Sequence, residues 1–309
     1  MKYENFTDFV SNMGTDNNNI MSKWDELRKK NKKINLITIL ILLIIDILVL
    51  FILKISTNSI FSIIMADVFI YIIIYVIFEG RDISQFNNDY KENVISKMLE
   101  NFITNLDYVP SKRMPSYIYD EAKYGGYYNK YSSDDYLEGT INGQKIIMAD
   151  LLVQEETTHT DSDGIETSDT KTIFNGLFGK IELNKSINSN LKITRNHGIS
   201  LFNKNKIEMD SYDFEKTFNV YSDNNIIAMQ LLTADIQEDI LDLYNKYKIN
   251  FDIIVMNNKM YVLFNTGNMF EVFSNKKNPN EMLEKYFEIM KFIYKLVDKI
   301  LKTIETTQI

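Results

Sequence analysis

Residues 136–153 read YLEGTINGQKIIMADLLV. Asn142-Gly143 lies between two runs of alternating apolar and polar side chains, and Asn-Gly is the pair that best tolerates the two positive φ angles of a type I′ turn. The stretch therefore predicts an antiparallel hairpin, Tyr136–Ile141 returning as Gln144–Val153. Outward from it, Gln144–Thr158 is expected to pair with Thr170–Leu183 across the polar segment HTDSDGIETSD, His159–Asp169. Asp161, Asp163, Glu166 and Asp169 invite a calcium reading, but an EF-hand loop needs glycine at its sixth position between helices. Here Gly164 is fourth and strands flank it, so a solvated hairpin tip is expected and no metal site.

Further along, Phe218–Tyr221 reads as a short strand and Thr233 as the N-cap of a helix with Asp235 in its first turn. Phe251, Ile253 and Val255 alternate up to Asn257-Asn258, and Tyr261–Phe264 reads as the returning strand of a third hairpin. Asn278 as cap, Pro279 at the first helical position and Glu281 in the first turn announce a closing helix. Its apolar residues, Leu283 through Ile304, recur at steps of three and four, which suits packing on the domain's own sheet or a coiled coil.

Before the decisive stretch, Val94, Ile95, Met98, Leu99, Phe102, Ile103 and Leu106 form one apolar stripe and predict a helix over Asn88–Tyr108, ended by Pro110. A shorter helix is expected over Pro115–Lys123. Residues 117–136 hold seven tyrosines. Among them Tyr124, Tyr127, Tyr128 and Tyr131 are candidates for an aromatic interaction surface, with core packing as the alternative.

Two long apolar runs stand nearer the N-terminus, INLITILILLIIDILVLFIL over Ile34–Leu53 and IFSIIMADVFIYIIIYVIF over Ile60–Phe78. Each approaches the roughly 20 residues that cross a bilayer as a helix, and the short connector makes them a hairpin. Lys23, Arg28, Lys29, Lys30, Lys32 and Lys33 precede the first run, whereas the connector holds only Lys54, so both termini are expected to be cytoplasmic. The expected organisation is a polar, basic segment at 1–33, a transmembrane helical hairpin at 34–78 and a cytoplasmic domain at 79–309. The fold class is α+β, a mainly antiparallel sheet flanked by helices behind a two-span membrane anchor. Asp46 and Asp67 interrupt the runs at matched depth and are candidates for an intramembrane pair that shares a proton or merely packs the hairpin.

Composition narrows the chemistry. The chain has no cysteine and two histidines, His159 and His197, which excludes thiol nucleophiles and cysteine-ligated metals and leaves little for imidazole catalysis. Residues 79–309 carry 26 Lys/Arg against 35 Asp/Glu, an acidic balance that argues against nucleic acid as a partner. No phosphate-binding, dinucleotide, serine-hydrolase or zinc-protease motif occurs. The glycines of Phe174-Asn175-Gly176-Leu177-Phe178-Gly179 suit a bulge or bend in a strand. No catalytic residue, cofactor or metal is expected.

The segments DDYLEGTINGQKIIMAD, TIFNGLFGKIELNKSI and FEKTFNVYSDNNIIAMQLLTADIQEDILDLYNKY, in this order after the apolar runs, resemble a bacterial membrane-anchored family of unknown function, domain three-one-three-seven, over most of residues 25–275. The resemblance is strongest over Phe214–Tyr244, although Ala234 stands where relatives often carry proline. It implies the two-helix anchor and the α+β domain and lends no activity. The expected role is a non-enzymatic, membrane-tethered scaffold or regulator. The bilayer and a protein partner or a second copy are its expected partners. The alternatives are a membrane subunit using Asp46 and Asp67 for ion or proton coupling, and a hydrolase or transferase built on carboxylates such as Asp134, Asp135 and Asp150.

Overall fold

The computed structural model describes residues 1–53, 65, 67–73, 80–160, 166–196, 205–271 and 278–307. The chain divides into two compact units, one comprising 1–6, 96–270 and 283–309 and the other 7–95 and 271–282.

The larger unit is α+β with an antiparallel sheet, as the alternation predicts. Its elements are α4 (Ser96–Glu100), β1 (Thr104–Val109), α5 (Ser116–Asp120), β2 (Lys130–Ile141), β3 (Gln144–Thr160) and β4 (Glu166–Arg195). There follow β5 (Lys206–Ile207), α6 (Tyr212–Thr217), β6 (Phe218–Ser222), α7 (Asn225–Leu231), α8 (Ala234–Tyr247), β7 (Phe251–Phe264) and most of α9 (Pro279–Thr307). Among the described residues the seven strands form one sheet in the order β1-β2-β3-β4-β6-β5, and β7 also pairs with β4. The deciding hairpin is present: Ile141 pairs with Gln144, and Asn142 and Gly143 both have positive φ, 48° and 75°. The second hairpin places Met148 opposite Gly179 and Gln154 opposite Thr172.

Two expectations for this unit are corrected. The helix over Asn88–Tyr108 ends at Glu100, and Thr104–Val109 is a strand whose Tyr108 pairs with Leu137. Helical spacing through Leu106 yields there to the ladder hydrogen bonds that the open edge of β2 offers. The third hairpin is instead one strand, β7, because β4 is long enough to partner nearly all of it, from Phe264 opposite Leu177 to Ile253 opposite Ile193. Asn257, at φ 55°, is absorbed where the register of β4 shifts around Ile187.

The closing helix packs internally rather than leaving a coiled-coil seam. Leu283, Phe287, Met290, Ile293, Val297 and Ile304 are all buried, and the Phe292 ring centre lies 5.7 Å from that of Phe251 and 6.2 Å from that of Phe264.

The smaller unit contains most of α1 (Phe6–Met13), α2 (Thr15–Leu53) and α3 (Arg81–Tyr90), with a π-helical turn at Lys91–Ile95. Trp24 of α2 meets Phe86 of α3 at 4.9 Å between ring centres, and Lys23 pairs with Asp89 at 3.0 Å. This unit overturns the membrane reading. Among the described residues no helix is long and apolar enough to cross a membrane. The first apolar run is the tail of a helix that begins at Thr15 with a polar, charged stretch, and its last side chains, from Leu48, are not described. Of the second run only Met65 and residues 67–73 are described, all of them helical. The two spans, the transmembrane hairpin as a domain and the multi-pass membrane location with cytoplasmic termini are therefore withdrawn. The connector at 54–59, the remaining residues of the second run, His197 and the acidic tip at Asp161 and Asp163 lie outside the described residues.

Candidate binding site

A cavity of about 850 Å³ opens where α6, α7 and α8 meet. The local sequence sets its walls. Ser211 caps α6, its hydroxyl oxygen accepting from the Phe214 N–H at 3.4 Å. Asn224 caps α7, its side-chain oxygen accepting from the N–H groups of Ile226 and Ile227 at 3.1 and 3.2 Å, as expected of short polar residues at helix starts. Thr233 holds the expected cap position of α8 through its backbone. Its carbonyl accepts from Ile236 and Gln237, both at 3.0 Å, while its side chain makes no cap hydrogen bond. These caps turn the chain sharply twice within about 40 residues, leaving the three helices splayed around a concavity.

Met209, Met229, Leu232 and Leu241 supply apolar wall. Asp210, Asp213, Glu238 and Asp242 also line the cavity, all exposed, against a single lining cation, Lys216. Four carboxylates against one ammonium leave the lining at −3. None of the four has an ion-pair partner among the described residues, and no three of them bring ligand atoms within 4.8 Å of one another, as a metal ion would need. At the inner wall, Gln237 is only 8% exposed. Its Nε2 donates to the Leu232 carbonyl at 2.8 Å, and its Oε1, buried and closed to the cavity, has no hydrogen-bond partner among the described residues.

The residues singled out from the sequence lie elsewhere. Tyr124, Tyr128 and Tyr131 gather around the buried Tyr119, with ring centres 6.4, 5.9 and 6.5 Å from it. Their hydroxyls donate to Asp252, Asp120 and the Met114 carbonyl at 2.8, 2.7 and 3.1 Å. Burial first, then the neighbouring Tyr128 and Asp120 charges, push the Tyr131 hydroxyl up to about 12 against the opposing hydrogen bond from Ser133. Tyr127 alone of the four is exposed, at 72%.

Asp134 and Asp135 occupy a bulge of β2, with the Tyr108 hydroxyl donating to Asp135 at 2.6 Å. Asp150, opposite Asp134 in the ladder, accepts from the Met269 N–H. The structure thus brings these three carboxylates together and engages Asp135 and Asp150 with the fold's own donors. In the smaller unit Asp46 and Asp67 do meet. Desolvation, then the hydrogen bond and charge of Asp46, hold the Asp67 carboxyl above the usual carboxylate range.

Every cavity wall falls within one stretch of the chain. Residues 172–302 match the family model described as "Protein of unknown function (DUF3137)". The match supports the family resemblance read from the sequence over that stretch, and the membrane anchor carried by the resemblance is not confirmed. The chain matches no curated protein. Among solved structures it is similar to one titled "crystal structure of the mycobacterial trehalose monomycolate transport factor A, TtfA". That similarity has 10% identity over 69% of this chain and 95% of the other, with a TM-score of 0.37.

Proposed function

We propose that this chain is a non-catalytic interaction protein, a scaffold or regulator that binds a partner protein, and that the cavity among α6, α7 and α8 is its docking point. One observation carries the reading. Four exposed carboxylates without ion-pair partners among the described residues, against one lining cation, surround a concave and partly apolar cavity. Concave surfaces with apolar walls and a few convergent polar groups are the usual form of binding sites. Of the carboxylates on which a hydrolytic reading would rest, Asp134, Asp135 and Asp150, the last two instead accept from the Tyr108 hydroxyl and the Met269 amide.

The test places a photo-crosslinking amino acid at Met229, an exposed cavity residue, and a second at Tyr127 as a control, in full-length protein made in its native cells. A crosslinked protein that appears only from Met229, and is lost in the combined Asp213→Asn, Glu238→Gln and Asp242→Asn variant, supports the proposal. Crosslinks that ignore the position or the variant overturn it.

A further inference from the structure

Asn101 directly follows α4, is 3% exposed, and turns its amide onto the backbone of the segment Met1–Phe6. Its Oδ1 accepts from the Tyr3 N–H at 2.7 Å, and its Nδ2 donates to the Tyr3 carbonyl at 2.9 Å. The Lys2 N–H is held by the same Oδ1 at 3.0 Å and by the Asn101 carbonyl at 3.2 Å. One side chain thus engages both polar backbone groups of one residue, as the facing residue of an antiparallel ladder does. The backbone fixes which end of the amide is which, because an N–H only donates and a carbonyl only accepts.

Three positions after the clamped residue, the Phe6 ring packs edge-on against Phe287 with 5.7 Å between centres, and Phe287 in turn meets Phe102 at 5.0 Å. Glu4 reaches Lys295 of α9 at 3.7 Å, an exposed pair that adds little. Clamp, rings and segment all belong to the larger unit.

The clamp reads backbone, so it does not depend on which side chains the segment carries. Met1, Lys2, Glu4 and Asn5 are exposed, and only Tyr3 and Phe6 are half-buried. Main-chain hydrogen bonds for affinity, with a pocket for a chosen side chain, are how extended peptides are recognised at sheet edges. Ordering such a segment costs backbone entropy that exposed side chains do not offset.

We propose that Asn101 and the Phe102–Phe287 pair form a second binding site, separate from the cavity among α6, α7 and α8. It takes an extended peptide of a partner protein that carries an aromatic residue three positions after the clamped one, and Met1–Phe6 is its competitor in cis. The segment seated on the site shows the chemistry that fits. When the segment lifts, the Asn101 amide loses its backbone partners and recaptures either chain. Tethering gives the segment a high effective concentration, so an incoming peptide must displace it.

Fluorescence anisotropy on the full-length protein tests this with a labelled, end-capped peptide of sequence MKYENF. The opened variant combines Tyr3→Pro, which removes the clamped N–H, with Phe6→Ala, and a melting curve confirms that it folds. Should it not fold, Tyr3→Pro alone serves. The unmodified protein admits the probe only while its own segment is away, so the opened variant should bind about tenfold or more tightly. Adding Asn101→Asp, which keeps the shape but sets an anion against the Tyr3 carbonyl, should weaken that binding at least about tenfold. So should replacing the probe by MKPENF or MKYENA.

Equal binding by the opened and unmodified proteins would overturn the proposal, making the segment plain packing. Equal binding of MKYENF and MKPENF would overturn the backbone clamp. If the opened variant mixed with unmodified protein forms a dimer that Asn101→Asp abolishes, the occupant is a second copy and the partner assignment falls.

Discussion

The hydroxyl of Tyr124 donates to Oδ2 of Asp252 at 2.8 Å, tying together residues 128 positions apart in the chain. Asp252 is 5% exposed, and its other carboxylate oxygen has no hydrogen-bond partner among the described residues. Burial, then the charge of Asp252, pushes the Tyr124 hydroxyl above the ordinary tyrosine range, so it remains a donor at any ordinary pH.

Tyr124→Phe keeps the ring in place and removes that donor, leaving a buried carboxylate without its partner. The expected loss is about 2–3 kcal/mol, the scale of an unsatisfied buried charged group. Tyr127→Phe, at an exposed ring, should stay within about 0.5 kcal/mol of the unmodified protein. Urea unfolding of both variants checks this pair. A Tyr124→Phe midpoint equal to that of Tyr127→Phe would mean that the hydroxyl does not hold Asp252.

Acid should weaken the larger unit in a way traceable to Glu121. Burial acts to raise this carboxyl, but the ammonium groups of Lys259 and Lys180, at 2.7 and 2.9 Å, outweigh it and hold Glu121 below the usual glutamate range. A carboxylate lowered on folding contributes stability that is present in full above its unfolded value and lost as pH falls through its folded value. Asp223 acts with the same sign, lowered chiefly by the Ser189 hydroxyl and the Asn190 N–H. The urea midpoint should therefore fall between about pH 5 and pH 3, and Glu121→Gln should flatten that fall. Identical pH profiles for the two proteins would rule out the Glu121 contribution.

Local signals are the part of the fold that the sequence makes legible. Asn142-Gly143 specifies its turn by backbone angle alone, and Asn278-Pro279 starts its helix with no help from distant residues, so both can be read without the fold. Leu106 shows the limit. Its helical spacing is real, but a strand forms because β2 presents an open edge, which is a long-range fact. Asn257-Asn258 misleads for the same reason, since only the length of β4 decides that the chain continues straight. The apolar runs mislead as a membrane hairpin because run length does not reveal that the first belongs to a helix starting at Thr15. Of the cavity, Thr233 is legible as a cap, but Gln237 is not. The available signal is a glutamine beside Ile236 and Ile240 on the inward face of α8. Its hydrogen bond to the Leu232 carbonyl exists only after α7 and α8 have turned upon each other.

Gly176 gives the sharpest test of the sheet. It sits in β4 at φ 150°, a backbone conformation that L side chains rarely adopt, and a Cβ there would lie 2.0 Å from the Phe264 carbonyl oxygen and 2.6 Å from the Thr266 nitrogen. Both are backbone atoms, so no rotamer change relieves the clash. Gly176→Ala must push β7 away from β4 where Leu177 pairs with Phe264, and the expected cost is about 3–4 kcal/mol, combining backbone strain with lost packing. Gly126 is the control, because nothing lies within 4 Å of its added Cβ, and Gly126→Ala should be neutral to within about 0.5 kcal/mol. Thermal melts of the two variants separate the cases. Near-equal melting temperatures would mean that β7 does not lie against Gly176 as closely as described, and the strand would have to be placed anew.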